Sequence, residues 1–182
     1  WTEQLSVLEA PTRLAQAFVR SEPVAQAPFG DHYQQFDAAF TQRLGELARR
    51  HKVTVNTLLQ GAWLILLQRY TGQQALCFGA TVSGRPAEIV GIERQVGLFI
   101  NTLPVVAQVR AEQALGEWLA ELQQHNLALR EHEHTALYDI QRWAGQGGEA
   151  LFDTLVVFEN YPVAEALRQA EVPALGFGAI DS

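Results

Sequence analysis

Ala75 to Val82 is a continuous apolar run that stops at a polar turn, and it identifies the central strand of the fold. The run reads Ala75-Leu76-Cys77-Phe78-Gly79-Ala80-Thr81-Val82, and the turn reads Ser83-Gly84-Arg85-Pro86. An apolar run of this length, bounded by glycine and proline, predicts a strand that is covered on both faces and ends in a loop. Polar side chains after such a strand lie at the mouth of a core, where binding sites are often built.

Two helices are predicted before this strand. Asp37 can cap a helix that runs to about Arg50 with one apolar face. Thr54 opens a second helix, which continues through Tyr70 and ends at Gly72. The second helix should be largely buried through one wide apolar stripe, which consists of Val55, Leu58, Leu59, Ala62, Leu66 and Tyr70.

The residues after the turn predict further strands that alternate with helices. Phe99 to Val109 is a second strand, and Pro104 within it indicates an edge strand or a bulge. Residues 111–132 form a long helix with one apolar side, Tyr138 to Trp143 a short helix, and Thr154 to Phe158 a third core strand. This alternation predicts an α/β layer fold.

The N-terminal part has a different pattern. Residues 1–30 contain three prolines and little periodicity, which predicts a linker laid on the surface. His32 to Phe36 alternates weakly like a strand. The chain starts at Trp1 without a methionine or a signal sequence, so we expect it to be cut from a longer polypeptide.

Composition excludes several classes of function. The chain has 182 residues, a single-domain size, and its 13 basic and 20 acidic residues give a net charge of −7. Without clustered positive charge, nucleic acid is not an expected partner. The apolar stretch from Gly61 to Leu67 is far shorter than the ~20 residues of a membrane span. The single cysteine, Cys77, excludes an internal disulfide and fits a buried, inert thiol in a reducing, cytoplasmic location.

Familiar catalytic and ligand motifs are absent from the sequence. His132-Glu133-His134 lacks a histidine at position 136, which is Ala, so we interpret it as a solvated helix end and predict no metal site. Gly145-Gln146-Gly147-Gly148 is too short for a dinucleotide loop. Ser83 does not lie in the Gly-x-Ser-x-Gly pattern of a nucleophile elbow.

Three polar groups at strand ends leave two interpretations open. Ser83 to Pro86 is either part of a site or a tight turn in which Arg85 forms a structural ion pair. Asn101, placed among apolar residues, either pins a neighbouring strand or faces a channel. Glu159 to Pro162 is either functional or a turn that ends the third strand.

Six sequence blocks, in order, resemble the condensation domains of non-ribosomal peptide synthetases. They lie between residues 53 and 162 and include Ser83-Gly84-Arg85-Pro86, Val96 to Pro104, Tyr138-Asp139-Ile140-Gln141 and Phe158 to Pro162. The Ser-Gly-Arg and Phe-Ile-Asn-Thr blocks are more similar to peptide-forming members than to epimerisation or heterocyclisation relatives. Ala136 stands where the family usually has Pro, and residues 148–152 lack its Arg-Asn-Pro run.

The resemblance implies an α/β lobe like a chloramphenicol acetyltransferase subunit, with helices packed on a mixed sheet. Two such lobes form a V with a tunnel between them. Carrier proteins deliver phosphopantetheine thioesters to both ends, and the acceptor amine attacks the donor thioester. The implied partners are the N-terminal lobe, peptidyl carrier proteins and an adjacent adenylation domain. No cofactor is bound directly, because the carriers hold the phosphopantetheine.

The family's catalytic signature, His-His-x-x-x-Asp-Gly, is absent, because no His-His pair occurs in the chain. The resemblance therefore implies the C-terminal lobe alone, inactive by itself, with residues 1–30 leading in from the missing lobe and residues 31–182 forming a lobe truncated at its end. Gly176 to Ile180 is expected to begin another strand. The alternatives are a non-catalytic docking or scaffold lobe for carrier proteins, and an epimerisation-type relative.

The resemblance also assigns positions, none of them a nucleophile or base. Ser83, Arg85, Asn101 and Thr102 are expected to line or brace the tunnel, with Asn101 near the thioester and Arg85 holding its loop. The remaining motif residues are expected to be structural: Gly84, Pro86, Gly97, Phe99, Tyr138, Asp139, Glu159, Asn160 and Tyr161.

Overall fold

The computed structural model describes residues 1–18, 30–85, 89–145 and 149–159. In chain order the elements are α1 (Thr2–Leu5), α2 (Leu14–Ala17), α3 (Ala38–His51), α4 (Val55–Thr71), β1 (Ala75–Val82), a 3-10 turn (Ile92–Arg94), β2 (Asn101–Gln108), α5 (Leu115–Arg130), α6 (Leu137–Trp143) and β3 (Leu155–Val156).

The described strands form one mixed sheet in the order β2-β1-β3. β2 runs antiparallel to β1, from Ala75 opposite Gln108 to Val82 opposite Asn101, and β3 runs parallel to β1 at Gly79 and Ala80. The fold class and the prediction of β1 are confirmed, since Leu76 to Ala80 are buried and thus covered on both faces. Pro104 lies opposite Gly79 in β2, which is an edge strand of the described sheet.

The third strand is shorter and more exposed than predicted. Only Leu155 and Val156 are extended and paired, and Leu155 and Val157 are more than half exposed. The prediction of a core strand over Thr154 to Phe158 was therefore wrong. A run of apolar residues identifies a strand but does not tell which elements will cover it.

The caps of α3 and α4 lie where the sequence predicts them. The Asp37 carboxylate accepts a hydrogen bond from the Phe40 backbone N–H, and the Thr54 hydroxyl accepts one from the Thr57 N–H at 3.1 Å. Gly72 ends α4 with a φ of +72°. Local signals were sufficient for these boundaries.

The buried face of α4 differs from the predicted stripe. Leu59, Leu66 and Tyr70 are 41–54% exposed, whereas the buried residues are Thr57, Leu58, Gln60, Gly61, Leu64 and Leu67. The buried face of α4 differs from the predicted one because α5 packs against Gly61. An added Cβ at Gly61 would lie 2.8 Å from Leu119 Cδ2. Thr57 and Gln60 are buried there because they hydrogen-bond to Gln123 and Asn126 of α5.

The first 18 residues are anchored in the core at three positions, so the prediction of a linker merely laid on the surface was wrong there. Leu5 and Leu8 are buried, and Thr12 is fully buried beside the sheet. The Thr12 N–H donates to the Leu151 carbonyl, and its hydroxyl accepts from the Cys77 N–H, both at 2.9 Å. Thr12 thus satisfies an N–H of β1 beyond the end of β3. The division at residue 30 stays a prediction.

Two smaller predictions have different outcomes. His32 to Phe36 is exposed and forms no strand, so that prediction was wrong. Cys77 is fully buried, as predicted, and burial raises the pKa of its thiol well above the ordinary value. The prediction of a strand over Gly176 to Ile180 falls outside the described residues.

Candidate functional site

The turn after β1 is held against the loop that precedes β2. Gly84 has a φ of +62°, and a Cβ added there would lie far inside contact distance of the Phe99 carbonyl oxygen. Only glycine accommodates both the backbone angle and the close approach. The Ser-Gly-Arg turn and Phe99 are therefore one packed unit.

Arg85 binds the loop that follows it. Its guanidinium donates hydrogen bonds to the carbonyls of Ile92 and Gln95, the latter at 3.1 Å, and its Cζ lies 4.2 Å from the centroid of the Phe99 ring. Within the described residues Arg85 forms no ion pair, so the predicted structural ion pair is not observed. Arg85 instead holds the loop through backbone carbonyls and an aromatic ring.

Asn101 pins the turn after α5 to the start of β2. Its Nδ2 donates to the carbonyls of Glu133 and Thr135, and its Oδ1 accepts from the Thr102 N–H, all at 2.8 Å. Of the two alternatives left open by the sequence, the structure shows pinning, although the segment held is a turn and not a strand. These bonds hold both ends of the amide on backbone groups.

A pocket of about 780 Å³ opens between the helices and the end of β1. Ser83 and Arg85 line it, whereas Asn101 and Thr102 do not. The structure therefore brings two of the four predicted residues together, and a tunnel role for any of them stays a prediction. Polar residues that the sequence reading did not select also line the pocket: Asn56, Gln60, Asn126, Arg130, Glu131, Glu133 and His134.

These missed residues come from α4, from α5 and from the turn after α5. Gln60 is buried on α4 and accepts a hydrogen bond from the Asn126 amide at 2.8 Å. The sequence predicts a solvated helix end at His132-Glu133-His134, and this was wrong for Glu133, which is only 8% exposed. The available signal was a polar residue on the apolar face of α4, but helical periodicity could not tell which face is buried.

The predicted structural residues lie in three places. Gly97 and Phe99 lie in the loop before β2, and Glu159 ends the described chain after β3. Tyr138 is 68% exposed on α6, where Asp139 forms a surface ion pair with Arg142 at 3.5 Å. Pro86, Asn160 and Tyr161 lie outside the described residues.

A second, smaller pocket of about 220 Å³ contains His125 of α5, beside Trp118 and Leu122. The Nε2 atom of His125 is shielded from water and has no hydrogen-bond partner among the described residues. Burial lowers the pKa of His125 below its ordinary value. The folded protein therefore favours the neutral imidazole.

This burial predicts a pH dependence of stability. Between the lowered folded pKa and the ordinary unfolded pKa, near 6.5, the unfolded chain binds more protons than the folded chain, so stability falls as pH falls through this window. The wild type should have a lower melting temperature at roughly pH 5.5 than at roughly pH 7.5, and in His125→Gln this drop in melting temperature should be smaller. The exposed His132→Gln is the control, and equal pH dependence of both variants would contradict the prediction.

A family model for the condensation domain matches residues 1–179 of the chain. The chain belongs to the condensation domain family. A linear gramicidin synthase from Brevibacillus parabrevis is 44% identical over 163 residues, covering 83% of this chain and 3% of that protein. Chondramide synthase cmdD of Chondromyces crocatus is 44% identical over 170 residues, covering 93% of this chain and 4% of that protein.

Solved structures of condensation domains share the fold. The first condensation domain of the CDA synthetase gives a TM-score of 0.58 at 21% identity, covering 66% of this chain and 28% of that chain. A four-domain non-ribosomal peptide synthetase bound to AMP and glycine gives 0.64 at 18% identity, covering 74% of this chain and 10% of that chain. This condensation-family chain thus spans a small part of its relatives.

The described residues contain neither a cluster of metal ligands nor a membrane-spanning helix. Across residues 1–18, 30–85, 89–145 and 149–159, no three His, Cys, Asp or Glu side chains are grouped as metal ligands would be. None of the helices in this part of the chain is long and apolar enough to cross a membrane.

Proposed function

We propose that this chain is the C-terminal lobe of a peptide-forming condensation domain and supplies one wall of its substrate tunnel. The observation that carries the proposal is the family match over residues 1–179 in a chain that has no His-His pair. The relatives named as synthases of linear gramicidin and chondramide support a biosynthetic role, and from the family resemblance we infer that the reaction joins two carrier-bound residues.

The reaction joins an acceptor amine to a donor thioester. The amine nitrogen attacks the thioester carbonyl, a C–N bond forms, the C–S bond breaks, and the phosphopantetheine thiol of the donor carrier leaves. The amine proton passes to a base, which we assign to the second histidine of the signature in the partner lobe. The phosphopantetheine arms arrive as part of the substrates, and this lobe contributes position rather than proton transfer.

The pocket at the end of β1 supports a positioning role for this lobe, with the base in the other lobe. Ser83 and Arg85 line it, and Arg85 holds the loop over residues 92–95 through its hydrogen bonds to backbone carbonyls. A fixed loop limits the orientations that a bound thioester can adopt. This positioning can raise the reaction rate even though the lobe supplies no base. Arg85, Ser83 and their neighbours are positioning residues in this proposal.

The test is amide formation with and without the second lobe. The chain alone, mixed with loaded donor and acceptor carrier proteins, is expected to give no amide. The chain produced together with a lobe that carries His-His-x-x-x-Asp-Gly is expected to give amide, detected by mass spectrometry of the carriers. A version of that lobe with its second histidine changed to alanine is the control and should lose the product.

Amide from the chain alone would overturn the proposal. If the paired lobes bind carrier proteins but form no amide, the docking and scaffold role becomes the better assignment. If they invert the donor residue and form no amide, the chain is an epimerisation-type relative. Titration of each carrier protein, followed by chemical shift or calorimetry, measures docking, and chiral analysis of the released donor residue detects inversion.

A further inference from the structure

Five large aliphatic side chains are exposed on the segment between β1 and β2. Val90, Val96 and Leu98 are 98%, 101% and 92% exposed, so the protein covers almost none of their surface. We call the whole set the loop face; it consists of Ile89, Val90, Val96, Leu98 and Ile100. Single exposed aliphatic residues are common on protein surfaces, whereas a group of them on one segment indicates an interaction site.

The loop face is carried by backbone that is held in place. Ile92 is buried, and the Arg85 guanidinium donates a hydrogen bond to the Ile92 carbonyl. The Phe99 ring lies against the same guanidinium, while its two neighbours in the sequence, Leu98 and Ile100, are exposed. The segment is thus anchored through Ile92 and Phe99. A surface that is already ordered loses little conformational entropy on binding, which favours association.

The chemistry of the loop face selects an apolar protein surface as its partner. Its five side chains carry no charge and no hydrogen-bonding group, so they cannot select a phosphate, a metal ion or a nucleic acid. Burial of aliphatic surface is the favourable interaction that they offer. A second copy of this chain is disfavoured, because two net charges of −7 would be brought together, and the same charge disfavours an anionic membrane surface.

The position of the loop face points to the other lobe of the domain. Arg85 lines the main pocket and also holds the loop, so the pocket and the loop face share one support. A partner bound there would lie near Arg85, on the side where the proposed function needs a second wall with the histidines. The first condensation domain of the CDA synthetase is matched over 28% of its length, so most of that solved domain lies outside the match.

We propose that the loop face is the surface through which this chain binds the other lobe of the condensation domain, with Val96, Leu98 and Ile100 buried in the contact. The inference rests on the proposed function, because that function requires a second lobe that carries His-His-x-x-x-Asp-Gly. Arg85 then connects the contact to the pocket, since it binds the loop and lines the pocket. Binding of the second lobe therefore also fixes this wall of the pocket.

The test measures binding of the other lobe to the wild-type chain and to a variant of the loop face. A purified lobe that carries His-His-x-x-x-Asp-Gly is titrated into the chain and followed by calorimetry. The wild type is expected to bind it. Leu98→Asp is expected to bind at least about tenfold more weakly, because burial of one leucine side chain is worth at least one tenfold step in affinity. No binding to the wild type, or equal affinities, would overturn the inference.

Hydrogen exchange on the wild-type complex tests the same contact without any substitution. The amides of residues 96–100 are expected to exchange at least about tenfold more slowly when the other lobe is bound, because a buried segment opens less often. The exposed helix end at Arg130 is the internal control, and its exchange should not change. Protection that leaves residues 96–100 unaffected would place the contact elsewhere.

Two controls separate a lost contact from a misfolded variant. Because Leu98 is exposed, Leu98→Asp should keep the circular dichroism spectrum and the melting temperature of the wild type. Leu115→Asp makes the same substitution at an exposed leucine of α5 and should keep the wild-type affinity for the other lobe. An equal loss of affinity in Leu115→Asp would show that the loop face does not locate the contact.

The outcome for the reaction is separable from the outcome for the surface. If Leu98→Asp binds the other lobe as the wild type does and the pair forms amide, this inference is overturned and the proposed function stands. If the other lobe binds through Leu98 but the wild-type pair forms no amide, the proposed function is overturned and the surface assignment stands. A dimer of the chain that Leu98→Asp disrupts and an excess of the other lobe leaves intact would assign the loop face to a second copy and overturn the inference.

Discussion

Replacing Phe78 by alanine is expected to lower the free energy of unfolding by about 3–5 kcal/mol. The Phe78 side chain is fully buried in the middle of β1, and it belongs to the same core cluster as Leu64 and Leu67 of α4. Removing the ring loses its transfer free energy and leaves a cavity, because a close-packed interior relaxes only in part. Urea unfolding followed by circular dichroism measures the change.

A phenylalanine on the surface provides the matched control for this prediction. Phe36 is 56% exposed and its ring stacks on Phe40 at a centroid distance of 4.6 Å. Phe36→Ala should therefore cost about 1 kcal/mol or less. If the two variants were equally stable, Phe78 would not lie in the core as described.

Gly84→Ala is expected to destabilise the protein by more than the 1–2 kcal/mol, roughly, that a left-handed backbone angle costs a residue with a side chain. The φ of +62° accounts for that part. The remainder comes from the Phe99 carbonyl, a backbone group that cannot rotate away from the new methyl group. We expect the loop held by Arg85 to separate from β1, with faster hydrogen exchange of residues 92–99.

Gly145→Ala separates the two causes. Gly145 has a φ of +69°, and among the described residues, its chain neighbours aside, no atom lies within 4 Å of the position that its Cβ would take. It should therefore show the cost of the backbone angle alone, measured by the same unfolding experiment. Equal losses for Gly84→Ala and Gly145→Ala would show that the turn at residues 83–85 relaxes away from Phe99 at little cost.

Elements with strong local signals were predictable from the sequence. The N-caps at Asp37 and Thr54 and the C-cap at Gly72 each depend on a side chain or backbone angle within a few residues. β1 was predictable because a run of apolar residues between turn signals has few other interpretations. These features are decided by physics that acts over three or four residues.

The pocket was predictable only in part. The sequence left the end of β1 open as either a site or a tight turn, and Ser83 and Arg85 line the pocket. The opposite wall comes from α4, which precedes β1, and from the turn after α5, which lies far along the chain from Ser83. The packing of the helices decides which of their residues face the pocket. Local sequence patterns do not predict this packing.

The family, the helix caps and the central strand follow from the amino-acid sequence, because motifs and capping residues act locally. Tertiary structure alone decided that α4 turns its polar residues Thr57 and Gln60 toward α5, that Thr12 completes the hydrogen bonding of β1, and that Asn101 fixes the turn bearing Glu133. Each of these depends on a partner more than 30 residues away, and burial of a polar group is favourable only where such a partner is present.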